Sequence, residues 1–271
     1  MSIHLFIIAK PNINAVSSDS LVIIPTYNEK ENIEAMLDKV FSLTPNFDVL
    51  VVDDGSPDGT AGLVKGKMAQ YAHRLHILER SDKQGLGTAY IAAFRWALER
   101  SYEYIFEMDC DFSHNPDDLS RLRTACIAGA DMAIGSRYIS GINVVNWPLS
   151  RVLLSVFASW YVRFITGMPV NDATAGFKCY RRRVLQSIDL NEIKFVGYAF
   201  QIEMKFKAWF YGFRVEEVTI IFTDRTLGQS KMTRGIVKEA AFGVLKLKWW
   251  SLRAKGRGLR REIKSGNDTL L

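Results

Sequence analysis

LVIIPTYNEKENIEAMLDKVFSL, residues 21–43, decides the fold, because two periodicities meet inside it. Leu21 to Pro25 is a short continuous apolar run, the pattern of a strand buried on both faces. Beyond Glu29 the apolar residues fall at Ile33, Met36, Leu37, Val40 and Phe41, which is the buried stripe of a helix. The same hand-over from strand to helix then recurs. FDVLVVDD (47–54) is a second apolar strand, GSPDGT (55–60) a turn, and AGLVKGKMAQYA (61–72) a helix. LHILE (75–79), the helix GTAYIAAFRWALERS (87–101), YIFEMD (104–109), a helix from Pro116 through Ala128, and DMAIGS (131–136) continue the alternation. It predicts an α/β fold with a mostly parallel central sheet and helices on both faces. After residue 140 the alternation weakens. A long helix (148–166), a loop NDATAGFKCYRR (171–182), a helix GYAFQIEMKFKAWF (197–210) and a strand VEEVTIIF (215–222) read as a subregion that completes the site.

In open sheets of this kind a ligand sits outside the carboxyl ends of the strands. Those ends read Pro-Thr-Tyr-Asn-Glu (25–29), Asp-Asp-Gly-Ser (53–56), Asp-Cys-Asp (109–111) and Gly-Ser-Arg-Tyr (135–138). A polar turn accounts for one acidic strand end, and Asn115-Pro116 is itself a turn signal. Three carboxylate-bearing ends on one edge would repel one another unless a cation or a metal-bound diphosphate sat among them. Asp109 and Asp111 suit a hard divalent cation, Mg²⁺ or Mn²⁺, which takes oxygen ligands and completes its shell with water and substrate phosphates. GLGTAYIAA (85–93) lacks the third glycine of a dinucleotide fingerprint, where Tyr90 stands, so its glycines read as a tight turn near the substrate. Arg137, Arg151, Arg225 and Lys231 are the cations least like a solvated helix face, and DRTLGQSK (224–231) is a basic loop suited to a diphosphate.

The composition, 48% hydrophobic and 24% charged over 271 residues, is that of an ordinary globular chain and excludes a disordered one. Three cysteines without a Cys-x-x-Cys spacing exclude a zinc ribbon and fit a reducing compartment. The net charge of +6 is uneven: residues 1–230 carry 24 Lys and Arg against 26 Asp and Glu, whereas residues 231–271 carry 11 against 3. The excess therefore belongs to the tail. Its interleaved Leu245, Leu247, Trp249, Trp250 and Leu252 favour a lipid surface over nucleic acid, and a helix docked on the core with a basic end fits equally. LLSVFASWYVRFITGM (153–168) is short for a span and contains Arg163, which predicts a buried or interfacial helix. Residues 1–20 lack a charged n-region and read as a loose leader.

PTYNE (25–29), VVDDGSPDGT (51–60), GLGTAY (85–90), MDCDFSHNP (108–116), GSRY (135–138), DATAGFKCY (172–180), GYAFQIE (197–203) and RTLGQSK (225–231) closely resemble the inverting glycosyltransferase family two. Within it they are similar to the polyprenol- or dolichol-phosphate mannose synthases, over about residues 21–235. The resemblance implies a GT-A fold with a Rossmann-like nucleotide-binding half, GDP-mannose as donor, a polyprenyl phosphate lipid as acceptor and a divalent metal. Carried over by position, Pro25, Tyr27, Glu29, Asp53 and Asp54 cradle the nucleoside, and Asp109, Cys110 and Asp111 meet the diphosphate, with the two aspartates on the metal. Arg225 and Lys231 hold the donor phosphates. Arg137, Arg151 and Ser155 receive the lipid phosphate. Asp109, Asp111, Arg137 and Arg225 form the catalytic set. The chain departs from the family pattern at Cys110, often Ala, and at Ser113, where some members have Gln.

Transfer of mannose with inversion would give a β-linked mannosyl phosphate lipid. The resemblance further implies an enzyme peripheral to the cytoplasmic face of a membrane, held by a basic tail from residue 236 to 271 or by a membrane-protein partner. Two alternatives share the motifs: the same fold using another nucleotide sugar such as UDP-glucose, and a non-catalytic nucleotide-sugar-binding subunit.

Overall fold

The computed structural model describes residues 18–195, 197–224 and 234–256. β1 (Ser20–Thr26), α1 (Ile33–Phe41), β2 (Asp48–Asp53), α2 (Thr60–Lys67), β3 (Leu75–Glu79), α3 (Leu86–Leu98), β4 (Tyr104–Glu107), α4 (Asp118–Ile127) and β5 (Met132–Ser136) reproduce the alternation expected from the sequence. A two-residue strand β6 (Val144–Val145), α5 (Leu149–Thr166), β7 (Lys178–Arg181), α6 (Arg182–Ser187), α7 (Tyr198–Phe210), β8 (Val215–Thr219), β9 (Phe222–Thr223) and α8 (Arg234–Gly256) follow.

Seven strands form one sheet in the order β3-β2-β1-β4-β7-β5-β8. Within it β7 alone is antiparallel to its neighbours. Residues 171–182, expected to be loop throughout, thus contain the strand that joins the two halves of the sheet. Period-2 side chains divide the core into two layers. Val22, Ile24, Val49 and Val51 pack with α1 and α4, while Leu21, Ile23, Leu50 and Val52 pack with α3 and α7. The expected strand 215–222 stops at Thr219, and Phe222–Thr223 instead pairs with β6.

α7 is buried nearly all round: Gln201, Glu203, Lys205 and Lys207 are no more than 2% exposed. Each of these polar groups has an internal partner. Glu203 accepts hydrogen bonds from the backbone of Lys194 and Phe195 and faces Lys207 at 3.5 Å, and Lys205 Nζ donates to the Ala175 carbonyl at 2.6 Å. Lys178 on β7 pairs with Glu107 on β4 at 3.0 Å, donates to Gln201, and shares Glu107 with the Tyr180 hydroxyl. Burial pushes the pKa of Lys178 and Lys205 down.

The two glycines of GLGTAY do different work. Gly85, at φ +101°, turns the chain into α3. Gly87 is a packing contact: a Cβ there would lie 2.7 Å from the Phe195 carbonyl oxygen and 3.0 Å from Phe200 Cβ. Gly87→Ala is therefore expected to destabilise by about 1–3 kcal/mol, despite the roughly 1 kcal/mol gain in helix propensity. A lower urea midpoint at unchanged m would register the loss.

Candidate active site

The register brings the acidic strand ends to one edge, with Thr26 beside Asp53 and Asp53 beside Glu79. The loop after β1 is stapled to the turn after β2. Thr26 Oγ1 and Ser56 Oγ donate to Asp53 Oδ1 at 2.9 and 2.6 Å, and the Ser56 amide donates to Oδ2 at 2.9 Å. Asn28, Glu29 and Lys30 give their amides to Ser56, Thr60 and Asp58. Asp53 therefore fixes the turn with both oxygens, while Asp54 is ion-paired with Arg80 at 3.3 Å, burial raising its pKa. Tyr27 carries Lys83 over its ring at 4.6 Å, and Pro25 and Glu29 are half-buried beside it.

The loop after β4 presents Asp109 with 42% of its side chain exposed and holds Asp111 at 6%. Asp111 Oδ1 accepts the Ser113 amide at 3.1 Å, and Phe112 between them adopts a positive φ of 58°. Cys110 is 3% exposed with its thiol in the core, so a donor contact from this position would come from the backbone. The resemblance gave His114 no role, yet the residue organises the loop. Its Nδ1 accepts the Asp109 amide at 3.2 Å, and its ring stacks on Phe177 at 4.9 Å. Burial lowers its pKa to about 4, so at neutral pH the ring is an uncharged acceptor.

On the other side of Phe222, whose ring lies 5.4 Å from His114 and 5.3 Å from Trp147, stands a cationic cage. Arg137, 8% exposed, is gripped by Asp172 through Nε and Nη2, both at 2.6 Å, and through its amide at 3.0 Å. Asp172 is in turn placed by Glu217, which takes the amides of Asn171 and Asp172. Burial raises the Asp172 pKa, but the Arg137 guanidinium outweighs it and holds the carboxyl below its usual value. Tyr138, Trp147 and Phe222 surround the Arg137 guanidinium at 5.2–5.5 Å. Arg151, in the first turn of α5, lies over the Trp147 ring at 4.0 Å and pairs with Asp224 at 2.9 Å. Ser155 follows one turn later on the same side of α5. Trp147 thus meets two guanidinium groups, and its Nε1 is buried without a hydrogen-bond partner. Neither Asp172, Asp224 nor Trp147 stood among the site residues expected from the sequence. The quoted stretches DATAGFKCY and DRTLGQSK contained the two aspartates without a role, and only tertiary pairing gives Trp147 meaning. Arg225 and Lys231 lie outside the described residues.

A family model described as glycosyl transferase family 2 matches residues 21–189. The chain belongs to this family. The transferase is 48% identical over 236 residues to a polyprenol monophosphomannose synthase of Mycolicibacterium smegmatis, covering 87% of this chain and 88% of the relative. It is 46% identical over 243 residues to an undecaprenyl-phosphate mannosyltransferase of Micrococcus luteus, covering 90% and 98%. Among solved structures it is similar in fold to a mannosyltransferase from Pyrobaculum calidifontis in complex with GDP-Man and Mn²⁺, with TM-score 0.53 at 16% identity over 93% of this chain and 76% of the other. A glucosyl-3-phosphoglycerate synthase from Mycobacterium tuberculosis gives TM-score 0.60 at 17% identity over 85% and 78%. The protein is a glycosyltransferase with a GT-A fold, and the reading as a non-catalytic subunit falls away.

Proposed function

We propose that the transferase moves mannose from GDP-mannose to a polyprenyl phosphate with inversion, releasing GDP and leaving a β-linked mannosyl phosphate lipid. The observation that carries this reading is the cage of Arg137 and Arg151 around Trp147, one aromatic ring away from the Asp109–Asp111 loop. Two anions must meet in this reaction, and the carboxylate loop and the arginine cage would each receive one. The relatives named above, nearly half identical over most of their length, support mannose and a polyprenyl phosphate as the two halves.

Asp109 and Asp111 would hold the metal, and Tyr27, Glu29 and Asp54 the nucleoside, on the turn that Asp53 fixes. Among the described residues no group of three or more His, Cys, Asp or Glu side chains could cage an ion. A pair of carboxylates fits Mg²⁺ or Mn²⁺, which are held by one or two carboxylates and complete their shell with substrate phosphate and water. When bound, the ion would supply charge neutralisation on the departing diphosphate. The remaining work belongs to the chain. A phosphate monoester is anionic at neutral pH, so its oxygen needs little help from a base, and alignment with the anomeric carbon is the main requirement. As the new phosphate-oxygen bond to that carbon forms, the bond to the GDP oxygen breaks on the opposite face, and the anomeric configuration inverts. Arg137 and Arg151 orient the acceptor, and Arg225 and Lys231 hold the donor phosphates. Residence at the cytoplasmic face of a membrane, with the basic segment 236–271 against the lipid, completes the proposal.

Incubating the protein with Mg²⁺ or Mn²⁺, a polyprenyl phosphate and each of several radiolabelled nucleotide sugars, then extracting the lipid, tests it. Label in the organic phase from GDP-mannose alone is the expected result. Label from UDP-glucose instead would overturn the donor.

Trp147 gives a finer test. An acceptor phosphate oxygen is a suitable partner for its orphaned Nε1–H, since an unpaired buried donor costs about 1–3 kcal/mol. Trp147→Phe keeps a ring against both arginines and deletes the donor. The acceptor KM should rise several-fold while the KM for GDP-mannose stays unchanged.

A further inference from the structure

The two carboxylates of the arginine cage hold their partners in different ways. Asp172 is fully buried and meets Arg137 at three points, and the turn that carries it is fixed in turn by Glu217. Asp224 is 29% exposed where it accepts from Arg151 Nη1 at 2.9 Å, and Arg151 is 27% exposed. The first pair is built into the fold, because parting it would strand a charge away from water. The second is of the class that contributes little, since water can take the place of either partner.

The surroundings allow Asp224 to let Arg151 go without disturbing either element. The Asp224 amide donates to the Val145 carbonyl at 3.1 Å, at the end of the β6–β9 pair, so its backbone is tied down independently of its carboxylate. The Arg151 amide donates to the Pro148 carbonyl at 2.9 Å, and its guanidinium lies over the Trp147 ring, contacts in which Asp224 takes no part. Rotation about the side-chain bonds of Asp224 is enough to separate the pair. Charge supplies the reason to do so. Arg137 and Arg151 are balanced by Asp172 and Asp224, and a phosphate monoester brings close to two further negative charges. Asp172 cannot yield, so the cation that becomes available to a phosphate is Arg151.

We propose that Asp224 is an internal competitor for the acceptor: its carboxylate occupies Arg151 until the acceptor phosphate displaces it. The inference rests on the polyprenyl phosphate reading above and adds a residue that sets how tightly that acceptor is held. The two aspartates then act with opposite sign. Asp172 strengthens acceptor binding by aiming Arg137, and Asp224 weakens it by competing for Arg151. After transfer the phosphate is a diester with one negative charge, and Asp224 reclaims the arginine as the product leaves.

The test titrates geranyl phosphate into the full chain by calorimetry, with no metal or nucleotide sugar present, for the parent, Asp224→Asn, Arg151→Gln and the double variant. Asparagine keeps the shape and an acceptor oxygen and removes the charge, and a melting curve checks that the fold is retained. Asp224→Asn should bind about two- to fivefold tighter than the parent, the scale of a partly exposed ion pair. The gain should shrink as salt is raised, and it should vanish when Arg151 is already Gln. Geraniol, which keeps the chain and lacks the charge, should not distinguish Asp224→Asn from the parent. In turnover, the acceptor KM of Asp224→Asn should fall while the KM for GDP-mannose stays unchanged. Equal or weaker binding by Asp224→Asn, with the parent binding geranyl phosphate normally, would show that Asp224 aims Arg151 or is idle, and would overturn the inference alone. A gain that persists in the Arg151→Gln background would overturn it too. Absence of geranyl phosphate binding in the parent and every variant would remove the acceptor reading of the cage and this inference with it.

Discussion

Asp111→Asn should lower mannosyl transfer by about 10²–10³-fold, the scale seen when one preorganised charge-stabilising group is deleted, with the thermal transition unchanged. The isosteric amide can keep the contact through which Oδ1 receives the Ser113 amide. The turn should therefore survive while the negative charge is lost. Asp109→Asn should do the same at a more exposed position, and raising the Mn²⁺ concentration should restore part of the rate in either variant if the loss is one of metal affinity. Wild-type activity of Asp111→Asn, with wild-type metal dependence, would remove the residue from the proposed site.

Asp172→Asn should be the costliest substitution for stability. Arg137 gives Asp172 three hydrogen bonds in a site where the carboxylate is wholly buried, and an amide leaves that guanidinium buried without its counter-charge. Removing one partner of a buried pair costs about 3–5 kcal/mol. The sign of the pH dependence follows from the lowered folded-state pKa of Asp172. Its contribution is complete above the ordinary carboxyl value of about 3.9 and is lost as pH falls through the lower folded value. Denaturant titrations between pH 5 and acid should show this acid limb in the parent and a flatter one in Asp172→Asn. A variant as stable as the parent would mean that the pair is replaceable. Acceptor KM should rise too, because Arg137 is aimed by the partner it has lost.

The first half of the fold was legible because its strands are continuous apolar runs and α1 carries a clean helical stripe. β7 was not legible, since Lys-Cys-Tyr-Arg has the composition of a loop and its lysine becomes acceptable in a core only when Glu107 and Gln201 arrive from distant elements. α7 hid its burial for the same reason. The carboxylates of the strand ends were visible as a group, but their division of labour was not. That Asp53 is spent on the turn while Asp54 faces Arg80 is a fact of side-chain direction, which the Asp-Asp spacing does not encode. The arginines of the cage were found by motif. Their carboxylate partners, Asp172 and Asp224, lay in quoted stretches with nothing to mark the pairing, and the indole that meets both arginines lay in none.

The place of β7 also dictates an order of events during synthesis. β5 emerges from the ribosome before both of its sheet partners, β7 and β8. β1 to β4 can pair as they appear, but β5 must wait with both edges unpaired until residues 178–181 have been made. Such edges are the part of a nascent chain most open to wrong pairing and to capture by chaperones. Ribosome-stalled chains ending just before Lys178 should therefore be protease-sensitive through β5 yet protected in β1 and β2, and protection of β5 should follow once β7 has cleared the exit tunnel.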